Sequence, residues 1–235
     1  MNFTSTRQYH SVRPGYPPEI VSGALEYVAP AGLVADIGAG TGKLSEALAL
    51  AGFRPVPLEP NSEMRLAFSI ARVPEPRPGS AEATGLSSAS VSAVVCGQAI
   101  HYFDVPASID EFARISPRGH LVSFLNVPAP DSVLIRLTEG LGEGKTIDLV
   151  AVIEKYSRVL GAPREFAATH RATLYPEDVF RLVFSLSDFA SLSDIERRST
   201  MLELRRRARL LHRGRDLVQL EYVCIAHRWR LPPAQ

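Results

Sequence analysis

The sequence predicts an α/β fold built on a doubly wound, mostly parallel sheet. Three observations predict it. Short apolar runs without polar alternation recur between Leu33 and Leu125, as strands covered on both faces require. Segments of helical period separate them. The first of these runs feeds directly into Gly38-Ala39-Gly40-Thr41-Gly42, a glycine loop that opens a helix.

The length fits one large domain, or a core with an inserted cap: 235 residues, 46% hydrophobic and 22% charged. That composition excludes disordered and collagen-like chains. No run approaches the ~18 apolar residues of a membrane span. Met1 to His10 lacks the apolar core of a secretory signal. Cys96 and Cys224 lie in apolar runs, as buried core thiols do, and two cysteines make no disulfide framework. A cytoplasmic protein is the expectation. The net charge of +1 provides no overall attraction to nucleic acid or membrane.

Element by element, Pro17 and Pro18 open a helix with Ile20, Val21, Ala24, Leu25 and Val28 on one face. Leu33 to Ile37 is a strand, and a helix with Leu44, Ala47, Leu48 and Ala51 follows the glycine loop, with Gly52 as its stop. Phe53 to Glu59 is the next strand. Pro55 and Pro57 lack N–H groups on the same side, so one of its edges should pair poorly. Asn61 caps a short helix carrying Met64, Ala67, Phe68 and Ala71. Pro74 to Gly79 has room for a stub of strand only. Val91 to Cys96, a helix from Pro106, and His120 to Leu125 complete the alternation. Residues 126–168 interrupt it with helices over Val133 to Leu141 and Ile147 to Val159. These read as a cap inserted over the strand ends. A strand over Ala168 to Leu174, helices over Pro176 to Ser185 and Asp194 to His212, and a last strand over Asp216 to Trp229 close the chain.

The loop carries the main chemical signal. Gly38 and Gly40 permit backbone conformations closed to other residues and let a ligand approach the chain. Its spacing is G-x-G-x-G. The dinucleotide fingerprint G-x-G-x-x-G fails, because Lys43 and Ser45 stand where it needs glycine. Asp36 precedes the loop, and Glu59 closes the next strand, where a carboxylate can accept both hydroxyls of a ribose.

Val34-Ala-Asp-Ile-Gly-Ala-Gly-Thr-Gly42, followed by Leu58-Glu59-Pro-Asn-Ser-Glu-Met64, resembles the S-adenosylmethionine site of class I methyltransferases. Tyr9-His-Ser-Val-Arg13-Pro-Gly-Tyr16-Pro resembles the leader of the type-11 methyltransferase domain group. Gly79-Ser-Ala-Glu82-Ala and Cys96-Gly-Gln98-Ala-Ile-His101-Tyr-Phe-Asp104 resemble its adenine-binding and fourth-strand segments. The likeness covers residues 9–126 and is looser beyond. It implies a Rossmann-like sheet of about seven strands, the last antiparallel. Its parts would be a lid and first helix over 1–32, a binding core over 33–126, a helical cap over 127–167, and the rest of the sheet over 168–235. It further implies methyl transfer from S-adenosylmethionine, with S-adenosylhomocysteine as product, to a small organic molecule; nucleic acid and membrane are not expected partners.

The resemblance places Gly38, Ala39, Gly40 and Gly42 along the methionine and ribose, with Asp36 as much an organiser of the loop as a contact. Glu59 would take the ribose hydroxyls. Pro60, Asn61 and Met64 would flank the adenine, opposite Ala81 and Glu82. Gln98 and Ala99 would border the methionine, and Tyr9 and Arg13 would lie in the lid. Ser80 departs from the Gly-Asp-Ala common in the adenine segment, which shifts recognition toward Glu82 or the backbone. His10, Tyr16, His101, Tyr102, Asn126 and Tyr156 are the expected substrate-pocket residues, with His101 as candidate general base.

Other readings of these residues are a fold that binds S-adenosylmethionine without methylating or drives another reaction, an NAD(P)-dependent oxidoreductase, and a nucleic-acid methyltransferase. The last lacks its Asn/Asp-Pro-Pro-aromatic motif, since Cys96-Gly97-Gln98-Ala99 stands there. The histidines show no metal-ligand spacing, and no metal is expected. Eight arginines between Glu196 and Asp216 scatter around a helix among acids and leucines, as on a solvated face.

Overall fold

The computed structural model describes residues 10–141, 148–186, 189, 192–212 and 216–234. Its strands are β1 (Leu33–Ile37), β2 (Arg54–Leu58), β3 (Ala93–Gly97), β4 (His120–Pro128), β5 (Arg164–Leu174) and β6 (Val218–Arg230). They form one sheet in the order β2-β1-β3-β4-β6-β5. The first four run parallel, and β6 is antiparallel to both β4 and β5.

Six strands stand among the described residues where about seven were expected. The proline-rich stub supplies one bridge, between Leu58 and Arg77. Pro74, Pro76 and Pro78 remove every second donor, so only Arg77 pairs: its N–H donates to Pro57 O, and its carbonyl accepts from Glu59. The same logic puts β2 at the sheet edge. The Arg54 N–H donates inward to Gly32 O, which turns Pro55 and Pro57 outward.

Helices cover both faces. On one lie α1 (Pro18–Ala24) and α2 (Lys43–Leu50), where Val21, Leu25, Leu44 and Leu48 pack on Val34, Phe124 and Cys224. On the other lie α4 (Val105–Ile115) and α6 (Leu149–Leu160), packed through Ile109, Phe112 and Tyr156 on Val94, Leu121 and Trp229. The short α3 (Ser62–Ala67) begins at Asn61, whose Oδ1 accepts the Glu63 and Met64 N–H groups. A 3-10 turn, Ile100–Tyr102, leads from β3 toward α4.

The cap differs from the expected insertion over 127–167. A third apolar cluster joins α5 (Val133–Thr138), α7 (Pro176–Ser185) and α8 (Asp194–His212) to Val218, Leu220 and Tyr222 of β6. Only α5 comes from the expected segment. The other expected cap helix, α6, instead belongs to a sheet face, because the apolar side carrying Val152, Ile153 and Tyr156 finds its partner there.

Several arginines of α8 serve the fold. Arg206 and Arg207 pair with Glu203, and Arg207 also donates to the carbonyls of Leu137 and Glu139. Arg213 and Arg215 lie outside the described residues.

Candidate functional site

A cavity of about 620 Å³ lies at the carboxyl ends of β1, β3 and β4, beneath α5 and α7. This is the end at which doubly wound sheets bind ligands, and the volume falls within the range of small-molecule sites.

The floor is the glycine loop. Gly38 and Gly40 take left-handed φ values of 68° and 57°. A Cβ on Gly38 would stand 2.9 Å from the Ala99 side chain, whereas one on Gly40 would meet only Gly38 O at 3.9 Å. The backbone at Gly40 is therefore open to a ligand. Gly42 differs from the expectation and does not line the cavity. Its φ is 99°, and a Cβ there would clash with Phe68 and Ile70 at 2.6 Å, so it is glycine for the turn into α2 and for packing.

Two carboxylates hold this loop. Asp36 is fully buried beneath it. Its Oδ2 accepts the Ser45 hydroxyl at 2.6 Å, and its Oδ1 is buried without a hydrogen-bond partner among the described residues. Burial pushes its carboxyl up to about 7. Glu59, at the end of β2, accepts the Gly40 N–H at 2.8 Å through Oε2 and the Asn61 N–H at 2.9 Å through Oε1. Arg65 braces the turn by donating to the carbonyls of Glu59 and Pro60. The carboxylate is thus oriented with lone pairs to spare.

Asp36, Ala39, Glu59, Pro60, Asn61 and Met64 all line the cavity. Ala81 and Glu82 line it from the β2–β3 connection, whose Thr84 is held by Glu111; the Glu82 carboxylate accepts the Asp104 N–H at 3.0 Å. Gln98 and Ala99 follow from the end of β3. Gln98 has φ 55°, costly for a residue with a side chain, and its Nε2 anchors on Asn126 O at 2.7 Å.

The N-terminal segment closes one side. Arg13 and Tyr16 line the cavity, and Tyr16 packs its ring edge on Phe124. Arg13 donates to Ser185 O, and Asn126 Nδ2 donates to Gly15 O at 2.9 Å. Asn126 lines the cavity, and its amide is used as a brace, with Oδ1 2.9 Å from His170 Nε2. Tyr9 lies outside the described residues.

Three expected pocket residues stand elsewhere. His10 is turned onto the glycine loop, with Nδ1 3.1 Å from the Thr41 hydroxyl, and burial holds its pKa below the usual value. Tyr156 is wholly buried against Trp229, with its hydroxyl 3.3 Å from that of Ser108. His101 does not line the cavity; Tyr102 and Phe103 do. The His101 ring lies against that of Tyr102, with centroids 3.9 Å apart. Both ring nitrogens of His101 are buried without partners among the described residues, and burial lowers its pKa.

Thr41, Lys43 and Phe103 line the cavity without having been expected there, as do Pro128, Leu134, Leu182, Leu186 and Tyr222. The last five form the wall away from the glycine loop. In sequence each is one more residue of an apolar or strand-like run, and no local signal separates it from the core.

Residues 35–123 match the family of methyltransferase domains. An uncharacterized methyltransferase of Mycobacterium tuberculosis is 38% identical over 120 residues, which cover 48% of this chain and 46% of that protein. One from Schizosaccharomyces pombe is 29% identical over 129 residues, covering 53% and 51%. The chain thus spans about half the length of these relatives. Among solved structures, a protein from Anaeromyxobacter dehalogenans named as a type II methyltransferase superposes with a TM-score of 0.68 at 20% identity, covering 94% of this chain and 99% of that one. One from Anabaena variabilis, named as a methyltransferase of an antibiotic biosynthesis pathway, gives 0.62 at 22%, covering 89% and 96%. At these identities the two structures speak for the fold. Residues 35–123 thus resemble a methyltransferase domain in sequence, and the fold around the glycine loop and its two carboxylates is that of the methyltransferase structures.

Proposed function

We propose that the protein transfers a methyl group from S-adenosylmethionine to a small organic molecule. The observation that carries this is Glu59: a carboxylate fixed by two backbone N–H groups at the rim of the cavity, beside the open backbone of Gly40. A diol can be gripped there without reorganising the protein.

The residues present fit the cosubstrate. Glu59 would accept the ribose hydroxyls. Met64 and Ala81 would flank the adenine, while Gly38, Gln98 and Ala99 would border the methionine and Arg13 and Lys43 would supply positive charge for a carboxylate. When bound, S-adenosylmethionine supplies an electrophilic methyl group on a sulfonium, and its transfer breaks the S–CH3 bond and leaves a neutral thioether. The protein's part is to hold the acceptor in line and exclude water. Residues 10–16 would serve as the lid and α5, α7 and α8 as the cap. His101 belongs to the wall's support on this reading, because its ring nitrogens do not face the cavity.

The test is a thermal-shift comparison followed by assay with methyl-labelled S-adenosylmethionine. S-adenosylmethionine and S-adenosylhomocysteine should each stabilise the protein, by about 2.7 kcal/mol at 100 times the dissociation constant, and NAD should not. Stabilisation by NAD alone refutes the reading. Binding without methylation of any acceptor favours a protein that binds the cosubstrate without using it.

A further inference from the structure

The two edges of the sheet differ. At β2, Pro55 and Pro57 face outward and leave that edge short of donors. At the other edge, β5 runs for 11 residues without proline or glycine. It pairs with β6 one to one from Arg164 to Leu174, with no bulge. Among the described residues, no backbone hydrogen bond reaches β5 from any element but β6. A long, regular edge of this kind is a template for another strand.

The ladders determine which groups are left over. The Ala129 N–H donates to Glu221 O and the Leu231 N–H to Gly119 O, so the odd-numbered residues of β6 spend their backbone groups on β4. The even-numbered ones serve β5, where their partners are also even-numbered. The N–H and C=O groups of Glu165, Ala167, Thr169, Arg171 and Thr173 therefore point away from the sheet, and all five residues are exposed. Two copies of this edge can pair antiparallel only about a residue that opposes itself, because opposed residues must share a parity. About Ala168, Glu165 falls opposite the partner's Arg171, Ala167 opposite the partner's Thr169, and Phe166 opposite the partner's His170. A centre at Ala167 or Thr169 sets Glu165 against a threonine instead. Arg171 donates to Glu221 through Nε and Nη2, which leaves Nη1 for a second carboxylate.

We infer that the protein forms a two-fold dimer in which β5 pairs with β5 of a second copy, in the register that sets Ala168 against itself. The sheet continues across the axis. The outward N–H and C=O groups exchange main-chain hydrogen bonds, and the Glu165 carboxylate meets the partner's Arg171 on both sides of the axis. The charges that keep other strands off this edge attract in this one register.

Sedimentation velocity on the whole chain tests this. The wild type should sediment as a dimer. Ala167→Pro deletes an outward donor and none that β6 uses, so it should sediment as a monomer with a wild-type circular dichroism spectrum. Glu165→Arg and Arg171→Glu each set like charges opposite one another, and the two-fold axis repeats the clash. Each should weaken dimerisation about tenfold or more. An equimolar mixture of those two variants restores both unlike pairs and should recover the dimer at near wild-type strength. A monomeric wild type, a dimer indifferent to Ala167→Pro, or a mixture that associates no more tightly than either variant alone overturns the inference.

Discussion

Replacing Glu59 by alanine should separate ligand recognition from loop bracing. The side chain is 7% exposed, and each of its oxygens already accepts one backbone N–H, from Gly40 at 2.8 Å and Asn61 at 2.9 Å. On the proposed reading the ribose diol adds two O–H donors to the same carboxylate. A hydrogen bond to a charged group is worth ~1.5–3 kcal/mol, and two that share one anion do not add in full. The expected loss is about 2–3 kcal/mol of binding, a rise in the dissociation constant of roughly 30- to 150-fold. The unliganded protein should lose only about 1 kcal/mol, since the two freed N–H groups lie beside the open cavity and water can reach them. Glu59→Gln keeps one accepting oxygen and turns an NH2 toward the other donor, so it should fall between. Calorimetry with S-adenosylhomocysteine and urea unfolding of the free proteins read the two effects apart. An affinity within threefold of wild type for Glu59→Ala would refute the ribose role and leave Glu59 as a brace alone.

Gly40→Val should abolish S-adenosylhomocysteine binding by calorimetry, because φ is 57° and the new side chain would enter the cavity. His101→Gln should retain turnover and the wild-type pH profile; loss of a limb near the imidazole pKa would restore His101 as a base. Tyr156→Phe should cost up to about 1 kcal/mol in urea unfolding, from the 3.3 Å contact with Ser108, and leave ligand affinity unchanged. Acid should destabilise the protein through His10, His101, His120, His170 and His227. Burial depresses all five, so the unfolded chain takes up protons first as pH falls through the unperturbed value of ~6.5. Asp36, raised to about 7, acts in the opposite sense, since the folded protein takes up its proton first between there and its unfolded value of 3.8. Asp36→Asn should therefore steepen the loss of stability between about pH 7 and 5.5, measured by urea unfolding.

The parallel core and the glycine-loop half of the cavity were legible in the sequence because their determinants are local. A buried strand, a glycine loop, a helix start and a strand-end acid lie between Leu33 and Met64, and each is recognised by its immediate neighbours. Even the poor edge of β2 followed from the spacing of Pro55 and Pro57. Where a local pattern permitted two outcomes, only tertiary structure decided. The Pro74–Gly79 stub had a strand's extent but one free donor, and it made one bridge. Tyr156 sat on a helix whose pattern suits the strand ends and a sheet face equally, and its ring partner Trp229 was on the sheet. His101 reached the ligand-bearing end in sequence, but Tyr102 and Phe103 line the cavity and its own ring nitrogens are buried. The apolar wall away from the glycine loop was the least legible part. Leu134, Leu182, Leu186 and Tyr222 come from α5, the end of α7 and β6, far apart in the chain. An apolar side chain facing a cavity and one facing the core obey the same periodicity, and only the assembled helices determine which of them is left without a protein partner.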